Sequence, residues 1–439
     1  MKKSKRSAMV IGLATAIALW LAAPASAGIE GNLDTSFGGG DGAVVEDVYG
    51  NGEDRGEAMA IQPDGKIVVA GSWALSGGYS NWAVMRFLPD GSVDKSFASG
   101  GRTLTDFDHD HDWAKAVAIA PDGKIVVAGD ARIGGPVYAK RFAVARYESD
   151  GDLDPTFSGD GKAWFNLGGE FEEANDVAVQ RDGKIVIAGM RWINYDGADD
   201  FVVARVTTNG ALDPDFSDDG KAFATFGEGE ESAYGVAIQP ADGKIVVAGS
   251  ALDDGDRDFA LARFDRNGDL DPAFDGNGTL LTGFGQDERA SDVAIAPDGK
   301  IVAGGGKEGD FAVARYLSSG KPDTTFDTDG KRSINLGGRE YAEAVAVQLD
   351  GKIVLAGSSW TNDVRYADMA LARFTTTGGL DSTFSGDGKK TQGVSGGDWC
   401  GGMGIQRADG KIVLAGTSHM DPGGNDAEFT LLRFHGKPQ

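Results

Sequence analysis

One octapeptide recurs seven times along this chain, and its spacing constrains the fold more tightly than any other feature. The copies begin at Asp64, Asp122, Asp182, Asp242, Asp298, Asp350 and Asp409 and read DGKIVVAG or a near variant, with DGKIVAGG at Asp298 the most altered. The intervals are 58, 60, 60, 56, 52 and 59 residues. A regular period of this length means one supersecondary unit stacked repeatedly. Length alone suggests two or three domains; the repeats make the region one.

Each unit contains four strand-like runs. In the second unit they are AKAVAIA from Ala114, KIVVAGD from Lys124, RFAVARY from Arg141 and GKAWFNL from Gly161. All are short, rich in β-branched and aromatic residues, and bounded by Gly, Asp, Asn or Pro. No stretch has helical period. The Asp-Gly between the first two runs predicts a two-residue type I′ hairpin. Four antiparallel strands repeated seven times predict an all-β, seven-bladed β-propeller of four-stranded blades. A β-solenoid is the competitor, but its rungs are usually shorter and its open ends need caps. The termini favour the ring. An LDxxF motif starts at Leu33, Val93, Leu153, Leu212, Leu270, Pro322 and Leu380; its first copy precedes the first octapeptide and none follows the last unit. The chain therefore reads as circularly permuted. The N-terminal segment Ala43–Val48 is expected to pair with the last blade, closing the ring and leaving no open sheet end. The alanine-rich AVAI run is expected to be the innermost strand.

The first 27 residues read as a cleaved signal peptide. Lys2, Lys3, Lys5 and Arg6 precede an apolar run from Ala8 to Ala23, and Ala25-Ser26-Ala27 has the small-x-small form of a cleavage site. The apolar run is short for a spanning helix. The expectation is one domain over residues 28–439, exported, with no transmembrane segment in the mature chain. The net charge is −25, and loss of the four basic leader residues takes it to −29. That charge disfavours nucleic acid and attracts cations. The single cysteine, Cys400, precludes an internal disulfide.

Strand direction sorts the loops onto two faces. On one lie the octapeptide turns and the LDxxF turns, where Arg86, Arg146, Arg205, Arg263, Arg315, Arg373 and Arg433 are placed to pair with Asp34, Asp94, Asp154, Asp213, Asp271, Asp323 and Asp381. A residue repeated in every blade is structural before it is functional. Calcium is the sharper alternative here, since Asp150-Gly-Asp152-Leu-Asp154 and Asp265 to Asp271 alternate oxygen ligands; turn-forming Asp and Asn explain the same pattern.

The opposite face breaks the symmetry. Trp73, Trp192 and Trp360 lie in or beside loops of differing length, where exposed indoles suit a sugar or a protein partner, or pack over blade ends. Asp54, Asp112, Glu172, Glu231, Glu288, Glu340 and Asp398 form a symmetric carboxylate column read as backbone hydrogen-bond acceptors. Three positions on, Glu57, Lys115, Asn175, Tyr234, Ser291, Glu343 and Gly401 are unlike one another, and Asp176 and Asp292 follow two of them. Unlike groups converging on one axis are what a site requires. Glu57, Lys115, Asp176, Tyr234, Asp292 and Glu343 are thus the candidate ligand-binding residues at the channel mouth. The run DFDHDHDW makes Asp106, Asp108, Asp110 and Asp112 the candidate metal ligands, beside His109 and His111. Calcium is the one cofactor the sequence leaves open. Cys400 falls in a column of Ala and Gly and reads as a packed small side chain.

The motifs DGKIVVAG, FAVARY (Phe142 to Tyr147) and LDPTFSGDGK (Leu153 to Lys162) resemble the delta-60 repeats of secreted bacterial proteins, and the strand order resembles NHL-type propeller blades. The resemblance implies a propeller and export, and no activity. No nucleophile elbow, HExxH, P-loop or Cys/His quartet is present, so no catalytic residue is assigned. The expected function is a secreted, monomeric binding or scaffold module recognising an extracellular protein or carbohydrate. The alternative is an exported hydrolase or lyase with a cation-assisted acidic site at the channel mouth.

Overall fold

A computed structural model of the chain describes residues 28–437 except 51, 76–77, 109, 135–138, 194–198, 228, 361–365 and 421–425. Residues 1–27, read above as a signal peptide, and His109 lie outside the described residues. Among those described there is no helix, and none therefore is long and apolar enough to cross a membrane. The strands form seven antiparallel four-stranded sheets. Six blades are continuous in sequence, over 52–105, 112–165, 171–224, 231–282, 288–334 and 339–392. The seventh combines Asp398–Ile405, Ile412–His419 and Ala427–Phe434 with the N-terminal strand Ala43–Glu46, which pairs with the last of these from Ala43 opposite Leu432 to Glu46 opposite Phe429. The ring closes as its permuted repeats predict.

The octapeptide forms the second strand of each blade, buried on both sides. Its alternate residues pack against opposite neighbours: Ile125 and Val127 against the first blade, Val126 and Ala128 against the third. A continuous apolar run is what such a strand requires. The AVAI run is the first, innermost strand.

The octapeptide turn differs from the expected type I′ hairpin. The Gly65 N–H donates to the Gln62 carbonyl (2.9 Å), the Gln62 N–H donates to the Lys66 carbonyl (2.8 Å), and only Gly65 has positive φ (86°). This is a type I turn over Gln62-Pro63-Asp64-Gly65 whose last residue is a left-handed glycine. Pro63, Pro121 and Pro297 occupy the position whose φ proline already satisfies, whereas a type I′ turn centred on Asp-Gly would put them where the closing strand pair needs an N–H that proline lacks.

The symmetric face is a ring of blade-to-blade ties. Each of the seven arginines holds its aspartate at 2.6–2.8 Å. The octapeptide lysine reaches the same carboxylate at 2.7–3.4 Å. Each guanidinium also lies 4.4–4.8 Å from the centroid of the LDxxF phenylalanine. Six of them extend to a backbone carbonyl of the next blade, and Arg373 to the Glu30 carboxylate. Burial opposes ionisation of these aspartates, but their Ser/Thr, Lys and Arg partners prevail, holding Asp94 and Asp381 down at about 2. Asp154, the carboxylate shared by one of the calcium-like loops, is taken by Arg146, Lys124 and Thr156.

Candidate binding site at the channel mouth

Every innermost strand contains a register break, always at the same place. Pairing with the second strand skips from Gly56 to Ala58, Ala114 to Ala116, Ala174 to Asp176, Ala233 to Gly235, Ala290 to Asp292, Ala342 to Ala344 and Cys400 to Gly402. The extra residue of each β-bulge is Glu57, Lys115, Asn175, Tyr234, Ser291, Glu343 or Gly401: the column that lacks seven-fold symmetry. A bulge re-aims its side chain off the pleat, and here all seven residues line one cavity at the channel mouth, about 830 Å³ in volume. The small residue before each bulge is buried, which lets neighbouring inner strands approach closely. A Cβ on Gly401 would meet the Glu57 carbonyl oxygen at 2.6 Å, so this blade contributes space where the others contribute side chains.

Two charged groups face this cavity. On the side of the second and third blades, Lys115 Nζ reaches Glu173 (2.9 Å), Asn175 Oδ1 (3.1 Å) and Asp130 (3.3 Å), and Lys140 Nζ reaches Glu173 (2.6 Å) and Asp130 (3.4 Å). Burial works against the Lys115 charge, but Asp130 and Glu173 outweigh it and raise its pKa. Burial opposes the Glu173 charge as well, and the two lysines overcome it, holding Glu173 at about 2. Asp130 is fully buried, and desolvation pushes it up to about 6 in spite of the lysines. On the opposite side Arg289 pairs with Glu343 (3.0 Å), donates to Ser291 Oγ (3.3 Å), and sits 4.6 Å from the Tyr234 ring centroid. Glu57 reaches solvent within the mouth yet is ringed by protein, which raises its pKa. Desolvation also raises that of Glu343, with Arg289 opposing.

Asp176 and Asp292 close the floor. The Asp176 carboxylate accepts from the Val177 and Val236 N–H groups, both at 2.7 Å, and Asp292 from Val293 (2.6 Å) and Val345 (2.8 Å). Each ties its bulge to the next blade. Burial raises both, Asp176 to about 8 with Asp292 adding repulsion, and Asp292 to about 6.

Trp73, Trp192 and Trp360 lie outside this cavity. Trp73 packs edge-on to Tyr49, Trp192 is 39% exposed beside Phe171, and Trp360 packs against Tyr341 and Trp399. The indoles at the mouth are Trp113 and Trp399, the latter 45% exposed. They belong to a second asymmetric column, two residues before the bulge, which also supplies Arg55, Glu173 and Arg289. Its lack of symmetry was a readable signal. So was Asp130, which stands where other repeats carry mostly Ser, Thr or Gly.

The carboxylate column from Asp54 to Asp398 is buried throughout and accepts backbone N–H groups, such as Val48 on Asp54 (2.6 Å) and Leu167 on Glu172 (2.7 Å). The DFDHDHDW run does not gather its four aspartates. Asp108 accepts from the Gly134 N–H (3.1 Å), Asp110 lies 3.7 Å from Arg132, buried Asp112 accepts from the Phe107 N–H (2.9 Å), and the Asp106 carbonyl accepts from Lys162 (2.7 Å). His111 stacks on Trp113 (5.5 Å) and bonds to Ser80. Among the described residues, one group of three carboxylates does converge closely enough for an ion: Asp47, Asp54 and Glu428. Cys400 is buried against the Gly402 carbonyl, its thiol pushed up to about 12 by burial.

Segments 62–97, 120–157, 180–216, 241–274, 296–326 and 348–384 match a family model described as a domain of unknown function (DUF5122) beta-propeller, which supports a β-propeller repeat family. No curated protein matches the sequence. Among solved structures, Sqt1 from Chaetomium thermophilum is 13% identical, with 89% of this chain and 100% of that one covered and a TM-score of 0.46. A polysaccharide lyase of family PL25, an ulvan lyase bound to -[GlcA(1-4)Rha3S]-, is 12% identical over 89% and 95%, with a TM-score of 0.49. NanB sialidase from Streptococcus pneumoniae is 8% identical over 88% and 68%, with a TM-score of 0.43. Likenesses this distant do not bear on function.

Proposed function

We propose that this chain is an exported, monomeric binding module of the delta-60 repeat type, and that its ligand seats in the channel mouth. One observation carries this: the asymmetric column of the inner strands is also the column of bulges, and all seven of its residues converge on one cavity. Cavities of roughly 300–1,000 Å³ suit small ligands. Apart from Asp176 and Asp292, the cavity balances Arg55, Lys115, Lys140 and Arg289 against Glu57, Asp130, Glu173 and Glu343. In so acidic a protein a balanced mouth favours an uncharged, hydroxyl-rich ligand. Trp399 offers an exposed apolar face for a sugar ring. The ligand class is therefore an extracellular carbohydrate. Calorimetric titration against neutral and acidic oligosaccharides tests this. Trp399→Ala and Lys115→Met should each weaken binding about tenfold, roughly 1.4 kcal/mol, while Trp192→Ala leaves it unchanged. Binding lost only with Trp192→Ala would move the site to the outer loops.

A hydrolase or lyase is the second reading, favoured by the carboxyl of Asp176, which burial holds protonated near neutral pH. Turnover of a bound oligosaccharide that disappears in Asp176→Asn would establish it.

A further inference from the structure

The ring closes at a seam where the seventh blade meets the first, and three separate segments bring carboxylates together there. Asp47 follows the N-terminal strand, Asp54 lies in the first blade's inner strand, and Glu428 lies in the seventh blade's strand Ala427–Phe434. One oxygen from each lies within 4.8 Å of the others. Two oxygens on opposite sides of a calcium ion, each at roughly 2.4 Å, stand about that far apart.

Proximity of acids alone is not a site, and the hydrogen bonding adds a separate observation. Asp54 is 1% exposed; its Oδ2 accepts from the Val48 N–H, but its Oδ1 is buried with no partner. Glu428 Oε2 is likewise buried and unpartnered. Asp47 uses Oδ1 to accept from the Gly50 N–H. Among the described residues no lysine or arginine forms an ion pair with any of the three; Arg102 acts on Asp54 without contact and spends a hydrogen bond on the Asp47 carbonyl (2.8 Å). An uncompensated acid as buried as Asp54 is costly, while Asp47 is exposed and Glu428 half-buried. Burial first, then repulsion from Asp47 and Asp426, pushes Asp54 and Glu428 up to about 7.

Comparison with other junctions sharpens the point. The residue aligned with Glu428 is Arg141 in the second blade, whose charge acts on Glu172 of the third, and Asp200 in the third, which Arg191 holds at 2.9 Å. In those two the chain supplies its own cation. Asp258 and Asp368 hold the same position in the fourth and sixth blades and face Glu288 and Asp398 with no ion pair among the described residues, but there two carboxylates meet; at the seam a third, Asp47, joins them.

We propose that Asp47, Asp54 and Glu428 bind a hard divalent cation, calcium by its tolerance of irregular all-oxygen ligation, which clasps the N-terminal segment to the first and last blades. This stands independently of any ligand at the channel mouth. The test is calorimetric titration of the chelator-treated chain with calcium chloride, alongside thermal melting with sodium chloride at matched ionic strength. The expected results are one stoichiometric site and, at calcium 100-fold above the dissociation constant, a midpoint raised by about 3 °C. Glu428→Gln should abolish both. Glu428→Arg, which copies the Arg141 junction, should be insensitive to calcium and melt no lower than the calcium-free parent. Asp258→Asn, at another acidic junction, should keep the full response. No binding by the parent chain, retention of binding in either Glu428 variant, or its loss in Asp258→Asn would each overturn the site.

Discussion

At the scale of single residues, the strongest commitments are buried ion pairs whose partners come from different segments. Arg373 is fully buried, bonded to Asp381 at 2.7 Å and to Glu30, and set against the Phe384 ring. Truncating one partner strands the other in a dry site, which costs about 3–5 kcal/mol. Arg373→Ala is therefore expected to lower unfolding free energy by that amount in urea titration, and Arg373→Lys to recover only part of it, because lysine lacks the fork. The same aspartates set an acid limit. Their folded pKa values are depressed, so their contribution is present above the unfolded value near 4 and is lost as pH falls from there toward about 2. Asp176 has the opposite sign. Its folded pKa is raised, so its contribution is complete below about 4 and is lost as pH rises to about 8, with Asp292 titrating alongside to about 6. Melting midpoints of the parent chain should fall between pH 5 and 8, and that slope should flatten in Asp176→Asn. An unchanged slope would assign the fall to other groups.

At the scale of elements, the repeat is built from a turn, a buried strand and a bulge, and these were unequally legible. The buried second strand was plain, because only a strand covered on both faces reads as an unbroken IVVAG run. The turn type was misread from Asp-Gly alone; the proline before it, at Pro63, Pro121 and Pro297, carried the correct signal. The asymmetric column from Glu57 to Gly401 was visible as a break in an otherwise repeating strand. Its bulge was not, since one extra residue per strand leaves the same residue types in the same order and alters only the pairing. Asp130 and Lys140 were missed because they reach the mouth from the second and third strands, through register rather than sequence proximity. Glycines separate local strain from packing. Gly123 has a φ of 87° with open space around it, whereas Gly151, with a φ of 98°, has Phe97 of the preceding blade 2.7 Å from where a Cβ would stand. Gly123→Ala should cost about 1–2 kcal/mol, the left-handed penalty alone. Gly151→Ala should cost distinctly more, and equal losses in denaturant titration would remove the packing term.

At the scale of the whole molecule, seven similar units become one cooperative body only because the ring closes. The closing segment carries its own apolar residues into the interblade core: Phe37, Val44 and Val48 are all buried. Asp34, from the same segment, pairs with Arg433 at 2.8 Å. At roughly 1.5–3 kcal/mol per buried side chain, the three apolar residues alone contribute on the order of 5 kcal/mol or more. A chain starting at residue 49 would keep six whole blades and leave the seventh with three strands, its edge at Ala427–Phe434 open to another chain. That truncation is expected to melt well below the parent and to self-associate in light scattering, with broadened unfolding as the blades lose their common boundary. Adding the 28–48 segment back as a peptide should restore the scattering mass of the parent chain. A truncated chain that keeps the parent's state of association and an unshifted midpoint would mean that six blades and the arginine ties hold the ring without a closing strand. The seam would then be a place where the ring could open.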